Sequence, residues 1–169
     1  NPMGIEAPSL SWKLYSTGRG AVQSAYEIQV ASSLKAARSG KADIWSSGKI
    51  SSDKQFGINI PVALSSGATY WWRVRVWDGD GRKSAWTTPS CFTMGLDDSS
   101  WSAEWITVDW NKAVRMPYLR KEISLGKGIA KAVAYVSGIG ASDLFVNGEY
   151  ADYTRVLDPA QTDYDHFAL

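Results

Sequence analysis

The sequence predicts an all-β protein, one complete sandwich domain followed by the front of a second, and three observations lead there. Apolar and polar residues alternate over short runs separated by Gly, Pro and Ser, with no helix-period segment of useful length between them. Nine tryptophans and eight tyrosines stand in 169 residues, and large aromatics favour strands and bury much area each. A polar break, Gly95-Leu96-Asp97-Asp98-Ser99-Ser100, is followed by a restart of the same pattern. The break divides the sequence into residues 1–96 and 97–169.

Each element follows from local pattern. Leu10, Trp12 and Leu14 alternate with Ser9, Ser11 and Lys13, which is the period of a half-buried strand. Tyr26, Ile28 and Val30 repeat it against Glu27, Gln29 and Ala31. The polar segment from Ser32 to Lys41 suits a helical turn ended by Gly40. Ile44-Trp45 reads as a short strand, Ser47-Gly48-Lys49-Ile50 as a turn, and Phe56, Ile58 and Ile60 as a third alternating run closed by Pro61. The clearest strand is Tyr70 to Trp77, with Tyr70, Trp72, Val74 and Val76 on one face and Trp71, Arg73, Arg75 and Trp77 on the other. Asp78-Gly79-Asp80-Gly81 is turn chemistry, and Trp86 then Cys91 to Met94 make the returning strand. In the second part, Trp101, Trp105-Ile106, Tyr118 to Leu125 and Lys131 to Val136 restart the alternation. Leu144 to Val146 runs through Asn147-Gly148 into Glu149-Tyr150, the strongest short hairpin signal.

The composition narrows the function classes. Eighteen basic against seventeen acidic side chains give a formal charge of +1, so nothing points to nucleic acid or to an anionic membrane. No stretch approaches the roughly 20 apolar residues of a membrane span. The single cysteine, Cys91, excludes an internal disulfide and leaves stability to packing. The start, Asn1 to Ile5, carries neither methionine at its head nor a signal peptide, which reads as a trimmed end. The second part is short for a sandwich and stops at His166-Phe167-Ala168-Leu169 as if inside an element.

Catalytic and metal patterns fail on their own requirements. Asp78-Gly79-Asp80-Gly81 resembles the start of a calcium loop, but the twelfth position is Pro89 where a bidentate Glu is needed. Gly138-Ile139-Gly140 meets Asp143 where a dinucleotide fingerprint needs its third glycine. Asp97 and Asp98 lie in the break, and Asp152, Asp158, Asp163 and Asp165 lie in a polar stretch that reads as loop. Solvated loop carboxylates do not make the buried acid that glycoside hydrolysis uses. His166 has no metal-ligand neighbour at useful spacing. No cofactor is expected, and calcium has only the poor Asp152–Asp165 stretch to bind it.

The outer face of the Tyr70–Trp77 strand is the candidate contact site. Trp71, Arg73, Arg75 and Trp77 alternate aromatic and cationic groups, and Trp86 on the returning strand is placed to lie opposite. A cation–π stack that shields the sheet or glues it to a neighbouring domain is the structural reading. A sugar-stacking platform is the functional one. The stack is preferred, because arginines occupy the indole faces that a sugar needs.

These residues resemble a known family. Asn1-Pro2-Met3-Gly4-Ile5, Leu10-Ser11-Trp12-Lys13-Leu14, Gln23-Ser24-Ala25-Tyr26 and Ile44 to Lys49 look like the opening of bacterial α-L-rhamnosidases. So do Tyr70 to Asp78, Phe92 to Gly95, Trp101 to Ile106, Leu119 to Glu122, Leu144 to Glu149, Asp158-Pro159 and Thr162-Asp163-Tyr164. The resemblance implies a fibronectin type III or immunoglobulin-like sandwich, then a jelly-roll domain truncated at Leu169. It implies a parent enzyme that hydrolyses terminal α-L-rhamnose with inversion, on a helical toroid absent from this sequence, so no catalytic residue carries over. The partners it implies are that toroid and rhamnose-containing carbohydrate. A truncated sandwich would expose strand edges, so a homodimer or strand swap through residues 118–169 is expected. The compartment stays open, with a periplasmic or extracellular setting preferred. The rivals are a stand-alone lectin-like carbohydrate-binding module and an adhesion fragment.

Overall fold

The computed structural model describes residues 7–109, 111, 117–129, 132–136 and 143–151, with the backbone alone of residues 165–168. The protein divides into two compact units, residues 1–98 and 99–169. Among the described residues no helix is long and apolar enough to cross a membrane.

The first unit is a β-sandwich with one short helix. Its strands are β1 (Ser9–Leu10), β2 (Gln23–Ala31), β3 (Trp45–Ser46), β4 (Ile50–Ser51), β5 (Ile58–Asn59), β6 (Thr69–Asp78) and β7 (Ser90–Thr93), with α1 (Leu34–Ser39) after β2. The larger sheet runs β3-β2-β6-β7, with β4 also on β2, and a two-stranded sheet pairs β1 with β5. The long ladder joins β2 to β6 antiparallel, from Gln23↔Asp78 to Ala31↔Trp71, with a register shift at Ser24. Alternation along both strands sends Tyr26, Ile28, Val30, Tyr70 and Val74 inward. Leu10, Ile58 and Ile60 meet them from the smaller sheet side, and Phe92 and Met94 close the core. Ile28 and Val30 are fully buried, and each such residue stabilises the fold by about 1.5–3 kcal/mol relative to exposure.

The edge strand beside β2 is split in two. Gly48 turns the backbone with φ 60°, so β3 pairs at Gln29 and Val30 while β4 pairs at Ala25 and Tyr26. In the gap, the Ser47 hydroxyl accepts from Ile28 N at 2.8 Å and Ser47 N donates to Ile28 O at 3.0 Å. The helical turn falls where the sequence places it. Ser33 caps its start by accepting from Ala36 N, and Gly40 ends it in the left-handed region at φ 85°.

Two alternating runs are shorter than their pattern. Only Ser9–Leu10 and Ile58–Asn59 form a ladder. Leu14 is exposed, and Phe56 is 72% exposed because Gly57, with φ 64°, turns the backbone between Phe56 and Ile58. The run from Tyr118 to Leu125 forms no strand among the described residues. Tyr118, Leu119, Ile123 and Leu125 are exposed; among the described residues no strand pairs with this run, and alternation without a hydrogen-bonding neighbour does not make a strand.

In the second unit, β8 (Val133–Val136) pairs antiparallel with β11 (Asp165–Ala168). Asp165 therefore opens a strand rather than lying in a loop. A hairpin joins β9 (Phe145–Val146) to β10 (Glu149–Tyr150), turning on Asn147 and Gly148 with φ 53° and 86°. Gly138-Ile139-Gly140, Asp152, Asp158 and Asp163 lie outside the described residues.

Candidate functional site

The outer face of the β2–β6 ladder is where the charged and aromatic groups gather. Register places Glu27 across from Arg75 and Gln29 across from Arg73, and neighbours across a ladder are within reach of each other. Arg75 binds the Glu27 carboxylate through Nε at 2.8 Å and through its terminal nitrogen at 2.6 Å. Arg73 donates from Nε and its terminal nitrogen to Gln29 Oε1 at 3.0 and 2.7 Å. Both arginines are thereby fixed against the sheet face.

Trp86 is delivered onto them by an irregular segment. Residues 84–87 run beside β6 without being a strand, and hydroxyls fill the acceptor places. Val76 N donates to Ser84 Oγ at 3.0 Å and Val74 N donates to Thr87 Oγ1 at 3.1 Å. The return bonds are ordinary, Ser84 N to Val76 O and Thr87 N to Val74 O, each at 2.9 Å. The guanidinium carbons of Arg73 and Arg75 then lie 4.4 and 4.5 Å from the centre of the Trp86 ring. Arg75 also lies 5.3 Å from Trp77, and Lys49 Nζ stands 4.7 Å over that same ring. The result is an alternating series, Lys49, Trp77, Arg75, Trp86 and Arg73, anchored on Glu27 and Gln29.

The electrostatics follow from the crowding. Burial pushes the Arg73 pKa below its ordinary value, Arg75 adds to the fall, and Glu27 opposes it. Arginine keeps its charge through such a shift, so the face stays cationic. The helix end closes one side: a Cβ on Gly40 would lie 3.1 Å from the Arg73 guanidinium, and its left-handed backbone already favours glycine.

Of the five residues picked from sequence, Arg73, Arg75, Trp77 and Trp86 come together and Trp71 does not. Trp71 sits farther along β6, between Ala31 and Cys91 in the ladder, half-buried and with no cation over its ring among the described residues. Trp77 is only 9% exposed, so it is a covered ring and not an open outer-face platform. Glu27 and Gln29 were legible as outward residues of β2, but pairing register decides their partners. Lys49, Ser84 and Thr87 carry no sequence signal for their roles.

The remaining carboxylates of this face and its turns are engaged. Asp78 Oδ1 accepts from Asp80 N and Arg82 N at 3.0 and 2.8 Å, and Asp80 pairs with Arg82 at 3.2 Å. Asp43 takes Ser32 N and the Ser32 hydroxyl at 2.9 and 2.7 Å, which lowers its pKa. Among the described residues no group of His, Cys, Asp or Glu is arranged to hold a metal ion.

Comparison with known proteins places residues 1–98 in a family. The family described as "Rha78A-like, N-terminal immunoglobulin domain" matches residues 1–98. An alpha-L-rhamnosidase of Formosa agariphila is 36% identical over 98% of this protein and 20% of its own length. One from Streptomyces avermitilis is 45% identical over 63% of this protein and 10% of its own length. The solved alpha-L-rhamnosidase of Dictyoglumus thermophilum superposes with a TM-score of 0.85 at 30% identity, covering 99% of this protein and 22% of that one. The sequence thus spans at most about a fifth of the curated relatives it matches. Through residues 1–98 the protein belongs to the family of Rha78A-like N-terminal immunoglobulin domains.

Proposed function

We propose that this protein is a non-catalytic accessory region of an α-L-rhamnosidase-like glycoside hydrolase that releases terminal α-L-rhamnose from glycans or glycosides. The observation that carries the reading is the span of the similarity: 98% of the sequence aligns with 20% of a relative named an alpha-L-rhamnosidase. The other four-fifths of such a relative is left for the chemistry. Residues 97–169 are read as the front of a jelly-roll domain, and the helical toroid as the partner that the accessory region steadies.

The site chemistry agrees with that reading. Inverting hydrolysis uses an acid and a base about 6.5–9.5 Å apart across a sugar. Glu27, Asp43, Asp78 and Asp80 are instead each tied to an arginine, a hydroxyl or backbone N–H groups. The Lys49–Trp77–Arg75–Trp86–Arg73 series acts as a brace for the 79–89 connection against the sheet. Trp71 is the one indole of the group that favours a lectin-like module, since no cation covers it among the described residues. Pairing of two copies through residues 118–169 has support in the exposure of Tyr118, Ile123 and Leu125; a clean monomer in sedimentation at high concentration rules it out.

The test is hydrolysis of a chromogenic α-L-rhamnoside by the protein alone. No turnover above the uncatalysed rate is expected. Turnover that persists through repurification would overturn the non-catalytic assignment.

A further inference from the structure

We propose that Asn147 is a spontaneous deamidation site, whose conversion to aspartate and isoaspartate disrupts the β9–β10 hairpin. Asn147 is the only asparagine followed by glycine; Asn1 precedes Pro2, Asn59 precedes Ile60 and Asn111 precedes Lys112. Asparagine is among the thermolabile residues, and a following glycine presents its backbone nitrogen without a Cβ in the way. Both turn residues are exposed, so water and base reach them.

The balance is simple. Gly148 N loses its proton to base and attacks Asn147 Cγ. The bond from Cγ to the amide nitrogen Nδ2 breaks, and ammonia leaves after taking up a proton from solvent. The five-membered imide that results adds one water and opens at either carbonyl, giving aspartate or a backbone routed through Cγ. No oxidant, reductant or enzyme is needed.

The fold lets this happen and gives it a consequence. The hairpin is a two-stranded sheet of two residues per strand among the described residues, and such a hairpin is marginally stable in water. Its stitches lie away from the turn: Ala151 N to Leu144 O at 2.9 Å, Tyr150 Oη to Asp143 Oδ1 at 2.8 Å, and the Phe145–Tyr150 ring contact at 5.2 Å. The turn can therefore open for attack while the base of the hairpin holds. Val146 pairs with Glu149 across a two-residue loop, in which both residues take positive φ. Isoaspartate lengthens that loop by one backbone carbon and breaks the register. The Asp-Gly steps are poorer candidates: Asp78 is held by two N–H donors and Asp80 by Arg82, and neither has ammonia to lose.

The experiment is storage of the intact protein at mildly alkaline pH, followed by peptide mapping, isoaspartyl methylation and ion exchange. The expected result is conversion at Asn147 several-fold faster than at Asn59, rising with pH. An acidic form should appear with it, as the formal charge falls from +1 to zero. N147G, which keeps a residue suited to positive φ, should lack that form. Conversion at Asn147 no faster than at Asn59, or an acidic form equally abundant in N147G, would overturn the proposal.

Discussion

The Arg75 guanidinium lies 4.5 Å from the centre of the Trp86 ring although the two residues sit on opposite sides of a reversal in the backbone. Arg75 is fixed from behind by Glu27, its neighbour across the β2–β6 ladder. Trp86 is fixed by the hydroxyls of Ser84 and Thr87, which bond its segment onto β6 where no regular strand runs. The pair ties the irregular 79–89 connection to the most regular part of the sheet.

Trp86→Ala is accordingly expected to destabilise the protein by about 2 kcal/mol, from lost burial and lost cation–π contact. A double-mutant cycle of Arg75→Ala with Trp86→Ala should show coupling of about 0.5–1 kcal/mol. The same cycle with Trp71→Ala should show none, since Trp71 lies outside the stack. Denaturant unfolding of the parent and its variants measures both.

Thr87→Val keeps the shape of the residue but removes the acceptor of Val74 N. The donor is then unpaired, at a cost of about 1–3 kcal/mol. Thr87→Ser should recover most of it. Equal stability of the valine and serine variants would mean that the hydroxyl ladder is incidental.

Gln23 is 5% exposed and well bonded. Its Oε1 accepts from Trp12 Nε1, and its Nε2 donates to Ser52 O and Lys54 O, all at 3.0 Å. Gln23→Leu fills a similar volume but strands three partners, so a loss of about 2–4 kcal/mol is expected in thermal or denaturant unfolding.

Asp43 supplies a pH signature. The Ser32 hydroxyl and backbone hydrogen bonds hold its folded pKa below the ordinary value. A depressed carboxylate pKa adds stability that is present above the unfolded pKa and is lost as pH falls through the folded one. Ser32→Ala should raise the Asp43 pKa toward its ordinary value in a carboxyl-carbon titration by NMR. It should also flatten the acid limb of the stability curve.

Much of this was legible in the sequence, and the failures are physical. Tyr70 to Trp77, Tyr26 to Val30 and the Asn147-Gly148 turn were readable because alternation and turn chemistry are local. The outward placing of Arg73, Arg75 and Trp77 followed from the same period. Their partners did not, because Glu27 and Gln29 are separated from them by more than forty residues and meet them only through register. Trp77 looked open on the strand pattern, yet Lys49 and Arg75 cover it. Phe56 and Tyr118 carried strand alternation and ended exposed, the first because Gly57 turns the backbone after it, the second because no strand pairs with its run among the described residues.

The most direct test of the accessory, non-sugar-binding account is calorimetric titration of the protein with L-rhamnose and a rhamnosylated oligosaccharide, with and without calcium. The account predicts no saturable heat at millimolar sugar under either condition. Saturable binding that disappears on changing Trp71 or Trp86 would contradict it and make the protein a carbohydrate-binding module.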